Sequence, residues 1–124
     1  MEISFTEREL DVMEVLWQRG PSTVAEVRAA LEDELAYTTV LTMLRVLEGK
    51  GYVDHEEEGR AHRYYPLVEQ DHAGASALRR VLDRLFRGSS ELLLTQLVAD
   101  QGLSSKEVRR LRAILDERLR EEEK

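Results

Sequence analysis

A mainly α fold with a small β-hairpin wing, a winged helix-turn-helix followed by C-terminal dimerisation helices, is what this 124-residue sequence predicts. Three observations carry it. Three helical segments follow one another between Thr6 and Gly51, two of them opened by capping boxes. Two β-favouring runs around a polar turn come directly after, and from Glu69 onward the pattern is helical throughout. The predicted division is a winged helix-turn-helix DNA-binding domain over residues 1–67 and a helical dimerisation domain over residues 68–124.

The first helix begins at Thr6, whose side chain and that of Glu9 can satisfy each other's backbone N–H groups. Leu10, Met13, Leu16 and Trp17 recur at three-to-four spacing, and Gly20-Pro21 ends the run. Trp17 on this spacing is expected to seal the core against the third helix. Thr23 and Glu26 repeat the device for a second helix with Val24, Val27, Ala30 and Leu31 as its apolar face, reaching Leu31 or Glu32. After the acidic turn Glu32-Asp33-Glu34, a third helix is expected over Leu35–Gly51, closed by Gly51 in the left-handed conformation.

The third helix has two incompatible faces. Val40, Met43, Leu44 and Leu47 fall on one side; Thr38, Thr42 and Arg45 line up opposite, with Thr39 beside them. A helix surface selected for stability alone would use Glu, Lys, Gln or Ala, because Thr loses rotamer freedom against the preceding turn. A short-armed, methyl-bearing, hydrogen-bonding stripe with one cation suits the major groove of DNA. There a Thr methyl packs on a thymine methyl and Arg takes guanine bidentately. Tyr37, at the helix start, is placed to touch a phosphate.

Tyr52-Val53 and Arg63-Tyr64-Tyr65 flank a turn around Gly59 and predict a two-stranded hairpin whose tip carries Arg60, His62 and Arg63. Beyond Pro66, Ala77, Leu78, Val81, Leu82, Leu85 and Phe86 form a helical apolar face that breaks at Gly88-Ser89-Ser90. Leu92, Leu93, Leu97 and Val98 follow, and a third capping pair, Ser104 and Glu107, precedes Val108, Leu111, Ile114, Leu115 and Leu119. So few residues bury little alone, so a second copy is the economical cover, with Leu78, Leu82, Leu85, Phe86, Leu93, Leu97, Leu111 and Leu115 at the interface. The tail Glu121–Lys124 is expected to fray.

A formal net charge of −7 argues against nucleic acid until its distribution is considered. Residues 1–66 hold 7 Lys and Arg against 14 Asp and Glu, yet Leu35–Gly51 contains only Glu48 against Arg45 and Lys50. The contact helix is locally slightly basic. With no cysteine, disulfides, thiolate metal sites and cysteine nucleophiles are excluded. The acidic start lacks a signal-peptide pattern, and no apolar run approaches the roughly 18–20 residues that span a bilayer, so a cytoplasmic protein without direct membrane binding is expected.

These motifs resemble the penicillinase-repressor family of bacterial transcriptional repressors (BlaI/MecI type). The likeness is carried by FTERELDVMEVLW, with its T-x-x-E-x-x-x-M-x-x-x-W phrase, and by LAYTTVLTMLRVLEGKGYVDHEEEGRAHRYYPLV, with its G-R-A-H-x-Y wing; it is dense over Phe5–Val68. The resemblance implies a homodimer on a palindromic double-stranded DNA operator. Recognition-helix contacts would fall on Thr38, Thr39, Thr42 and Arg45, with Tyr37 near the backbone and Arg60 and His62 on the wing. It also implies a membrane-bound sensor metalloprotease as partner, since penicillinase-type members are cleaved at an Asn-Phe bond. This chain has no Asn, so that site is absent as written, as are the clustered cysteines of copper-responsive relatives.

Rival classes have less to stand on. The acidic run Asp54-His55-Glu56-Glu57-Glu58 would suit a winged-helix protein-protein interaction module without DNA binding, although such charges also belong on a solvent-facing strand edge. His55, His62 and His72 with Glu56–Glu58 lack metal-ligand spacing on a helix, so neither a metal nor a cofactor is expected. No nucleophile-base pair or phosphate-cradling glycine loop appears, and an enzyme is not expected. The acids over Glu7–Glu14 and the cations Arg109, Arg110 and Arg112 are expected on solvated faces or in intersubunit ion pairs.

Overall fold

The computed structural model describes residues 3–100 and 102–123, with Asp100 described in its backbone only. The elements run α1 (Glu7–Arg19), β1 (Ser22–Thr23), α2 (Val24–Ala30), α3 (Tyr37–Gly49), β2 (Val53–Glu58), β3 (Ala61–Pro66), α4 (Gln70–Leu85), α5 (Ser90–Asp100) and α6 (Ser105–Glu122). Packing divides the chain into residues 1–78 and 79–124, so the first unit extends beyond residue 67 into α4.

All three capping boxes form. Thr6 with Glu9, Thr23 with Glu26 and Ser104 with Glu107 each exchange side-chain and backbone bonds at the starts of α1, α2 and α6. Each such cap contributes about 1 kcal/mol. Helix α2 is shorter than its apolar pattern: it stops at Ala30, which is exposed, and Leu31 turns extended as its cap. α3 also starts later than expected, at Tyr37, with Ala36 as a cap that offers no side-chain bond. Its far end closes as a Schellman turn, with Tyr52 N–H donating to Leu47 O (3.0 Å), Gly51 N–H to Glu48 O (3.0 Å), and Gly51 at φ +84°.

The sheet has three strands rather than the expected two, in the order β1-β3-β2. β1 pairs antiparallel with β3, placing Ser22 opposite Tyr64 and Thr23 opposite Arg63. Two residues are too few to show a period of two, which is why the sequence pattern misses them. In β2 and β3, Val53 opposes Pro66, His55 opposes Tyr64, and Glu57 opposes His62.

In the first unit Val12, Met13 and Leu16 of α1, Val27 of α2, Val40, Leu44 and Leu47 of α3, and Val53 and Tyr64 of the wing are essentially inaccessible to solvent. Leu10 is 39% exposed, and Val12 and Val15 take the inward positions instead. Trp17 packs half-buried against this core and also ties down a further segment. Its Nε1–H donates to Val68 O (2.9 Å), beyond the wing, and its ring meets Phe5 edge-on at 6.0 Å.

In the second unit α6 buries no side chain among the described residues and runs through Glu122, further than the expected fraying of residues 121–124; Lys124 lies outside the described residues. Leu82 is buried and Phe86, Leu93 and Leu111 are half-buried, whereas Leu85, Leu97, Ile114, Leu115 and Leu119 are exposed, Leu85 by 74%. Among the described residues no helix is long and apolar enough to cross a membrane.

Candidate nucleic-acid interface

The 3.6-residue period of α3 sends Val40, Leu44 and Leu47 inward and leaves Thr38, Thr39, Thr42 and Arg45 exposed on the other side. Thr42 Oγ1 donates to Thr38 O (2.9 Å), so its hydroxyl proton is spent on its own helix and its oxygen remains as an acceptor. Tyr37, the first residue of α3, is 46% exposed. Val46 stands 45% exposed in the same helix, and the sequence reading did not single it out.

The wing turns on two residues, Gly59 and Arg60, between the paired Glu58 and Ala61. Gly59 has φ +61° and Arg60 is not among the residues of positive φ, the pattern of a type II′ hairpin with glycine first. Arg60 is therefore at the tip. His62 and Arg63 are not, because they lie within β3 and successive strand residues face opposite ways. The ring of His62 stacks on His55 at 4.3 Å and 13°. His55 Nδ1 contacts Glu48 Oε1, tying the wing to the last turn of α3. Arg63 holds Pro21 O (3.1 Å), Glu26 Oε1 (2.9 Å) and Glu58 Oε2 (2.5 Å), joining the wing to the start of α2.

Ion pairing sorts the cations of this unit. Arg8 pairs with Asp33, Arg19 with Glu26, Lys50 with Glu9, and Arg63 with Glu26 and Glu58, while Arg28 Nε donates to Leu35 O. Arg45 and Arg60 are exposed, and neither pairs with a carboxylate among the described residues. Thr23 N–H donation holds the Glu26 carboxyl below its ordinary pKa, with help from Arg63, and Glu58 with Glu26 raises the Arg63 guanidinium further. Burial pushes the Tyr64 phenol up, and the charge of Glu48 adds to it.

The acidic strand β2 lies at the sheet edge, where Asp54, Glu56, Glu57 and Glu58 are exposed. Charge there discourages pairing with another chain's edge. Glu9, expected on a solvated face or in an intersubunit ion pair, is only 4% exposed; it closes the α1 capping box and binds Lys50 Nζ of its own chain through both oxygens at 2.9 and 2.7 Å. Glu48, Asp54 and His55 bring ligating atoms within 4.8 Å of one another, a different set from the imagined His55, His62 and His72. Both carboxylates already bond His55, Glu48 at Nδ1 and Asp54 at the backbone N–H (2.8 Å).

Three helices, a hairpin wing and an exposed Thr/Arg face on the third helix define a winged helix-turn-helix regulator. The profile described as penicillinase repressor matches residues 5–117. The chain belongs to the penicillinase repressor family. The transcriptional regulator BlaI of Mycobacterium tuberculosis is 38% identical over 98 residues, covering 76% of this chain and 71% of its own length. The penicillinase repressor of Bacillus licheniformis is 28% identical over 114 residues, 90% of this chain and 89% of its own. A solution structure of Bacillus licheniformis BlaI, in monomeric form in complex with the blaP half-operator, aligns at a TM-score of 0.50 with 30% identity over 57% of this chain and 89% of that one.

Proposed function

We propose that the chain is a homodimeric transcriptional repressor that acts in the cytoplasm by occupying a palindromic DNA operator. The observation that carries this is the sorting of cations: in a unit with 16 acids against 7 bases, Arg45 and Arg60 keep no carboxylate partner among the described residues. An unpaired guanidinium at the wing tip and another beside a Thr stripe fit a phosphate backbone and a base edge. Thr38, Thr39, Thr42 and Arg45 would enter the major groove, Tyr37 would meet a phosphate beside the uncapped start of α3, and Arg60 with His62 would follow the backbone. Blocking a promoter then needs occupancy and no bond chemistry. The structure of a relative with a half-operator supports the same reading.

The exposed apolar side chains of the second unit would pair two copies and so present two reading heads one helical turn apart. A sensor metalloprotease, the partner that the family resemblance implies, finds no Asn-Phe bond here, so release by proteolysis would need a different bond. Full-length protein challenged with a random-sequence duplex pool tests the central reading. It should retain inverted repeats and lose affinity steeply with added salt. Retention of no duplex above background would end the proposal.

A further inference from the structure

Val46 is the anomaly of α3. Val40, Leu44 and Leu47 are fully inaccessible and Leu41 packs half-buried against the core, while Val46 is 45% exposed. Taking Thr38 as zero and turning about 100° per residue, Thr42 falls near 40°, Val46 near 80°, Thr39 near 100° and Arg45 near −20°. Val46 therefore lies inside the Thr/Arg stripe, one turn beyond Thr42. A β-branched residue on an exposed helix surface costs χ1 freedom, and this one takes no part in the core cluster. The apolar group that the major groove offers to such a side chain is the thymine 5-methyl. Thr42 and Val46 are separated by about 6 Å along the helix axis, close to two base steps of about 3.4 Å.

We propose that Val46 is a specificity-determining residue that packs its methyl groups on a thymine methyl in each half-site. This rests on the DNA-binding reading above. The full-length chain and its Val46→Ala variant are titrated against the duplex recovered from the random pool, with each thymine replaced in turn by deoxyuridine, which removes only the methyl. At one thymine per half-site the replacement should weaken the wild type about four-fold, the worth of one buried methyl-sized group. Val46→Ala, which removes the contact in both half-sites of a dimer, should weaken binding to the parent duplex about sixteen-fold and be indifferent to replacement at that position alone. Alanine is the better helix former, so a Tm no lower than the wild type's is expected and separates contact from folding. The inference is overturned if Val46→Ala binds like the wild type, if it keeps the wild-type pattern of deoxyuridine sensitivity, or if no thymine methyl matters to the wild type. If the wild type recovers no duplex, the DNA-binding reading fails and takes this with it; binding by the wild type confines any failure to Val46.

Discussion

Arg45 and Arg60 are both exposed guanidiniums, but their surroundings would suit them to different work on DNA. Arg45 projects from a helix face where a bidentate pair with guanine is available, so Arg45→Ala should cost about 1–3 kcal/mol on cognate DNA and relax one base position. Arg60 lies at a hairpin tip, where the proposed reading would have it meet only backbone, so Arg60→Ala should weaken cognate and scrambled duplexes alike and lower the salt slope by about 1. Fluorescence anisotropy over a salt series separates them, and equal loss on both duplexes for Arg45→Ala would rule out base reading by that residue. The Thr stripe was legible because a 3.6-residue period fixes which side chains share a face. Val46 was not, because an apolar residue type suggests a core position even where the same period places it on the stripe. Strand alternation parts His62 from Arg63, but sequence could not show that one meets His55 and the other Glu26.

Between elements, the junction of α1 with the end of α3 rests on Glu9 and Lys50. Burial pushes the Glu9 carboxyl up, but the Lys50 ammonium and the Thr6 N–H outweigh it and leave the pKa lowered. A folded-state pKa below the unfolded one adds stability that is complete above the unfolded value near 4.5 and lost as pH falls through the lower folded value. Lys50→Met should therefore cost about 1–2 kcal/mol at neutral pH, a figure kept small because the Lys50 side chain is 41% exposed. Urea denaturation at several pH values should show the gap narrowing across that acid window; a gap constant with pH would deny the pair its role. The capping boxes were readable from residue types four positions wide. The Glu9–Lys50 pair spans 41 residues, and no local pattern announces it.

For the whole molecule, the second unit leaves several large aliphatic side chains uncovered within one chain. Leu85, Ile114, Leu119 and Leu115 are 74, 65, 58 and 52% exposed, apolar surface that the proposed second copy would cover. Leu115→Glu should give a monomer by sedimentation, and its affinity for an inverted repeat should fall about a hundred-fold or more through lost avidity while single half-site binding persists. A wild type that is monomeric at micromolar concentration would refute this arrangement. The amphipathic pattern made the C-terminal helices legible, because apolar residues recur at helical spacing whatever covers them. Which surfaces stay bare needs three dimensions.

Thr23 belongs to two elements at once. It pairs with Arg63 in the wing sheet, and its side chain caps α2. Tilting the hairpin toward a wider or narrower stretch of duplex would thus pull on the first turn of α2, and the protein should prefer operators whose groove width matches its resting span over those that ask the wing to swing.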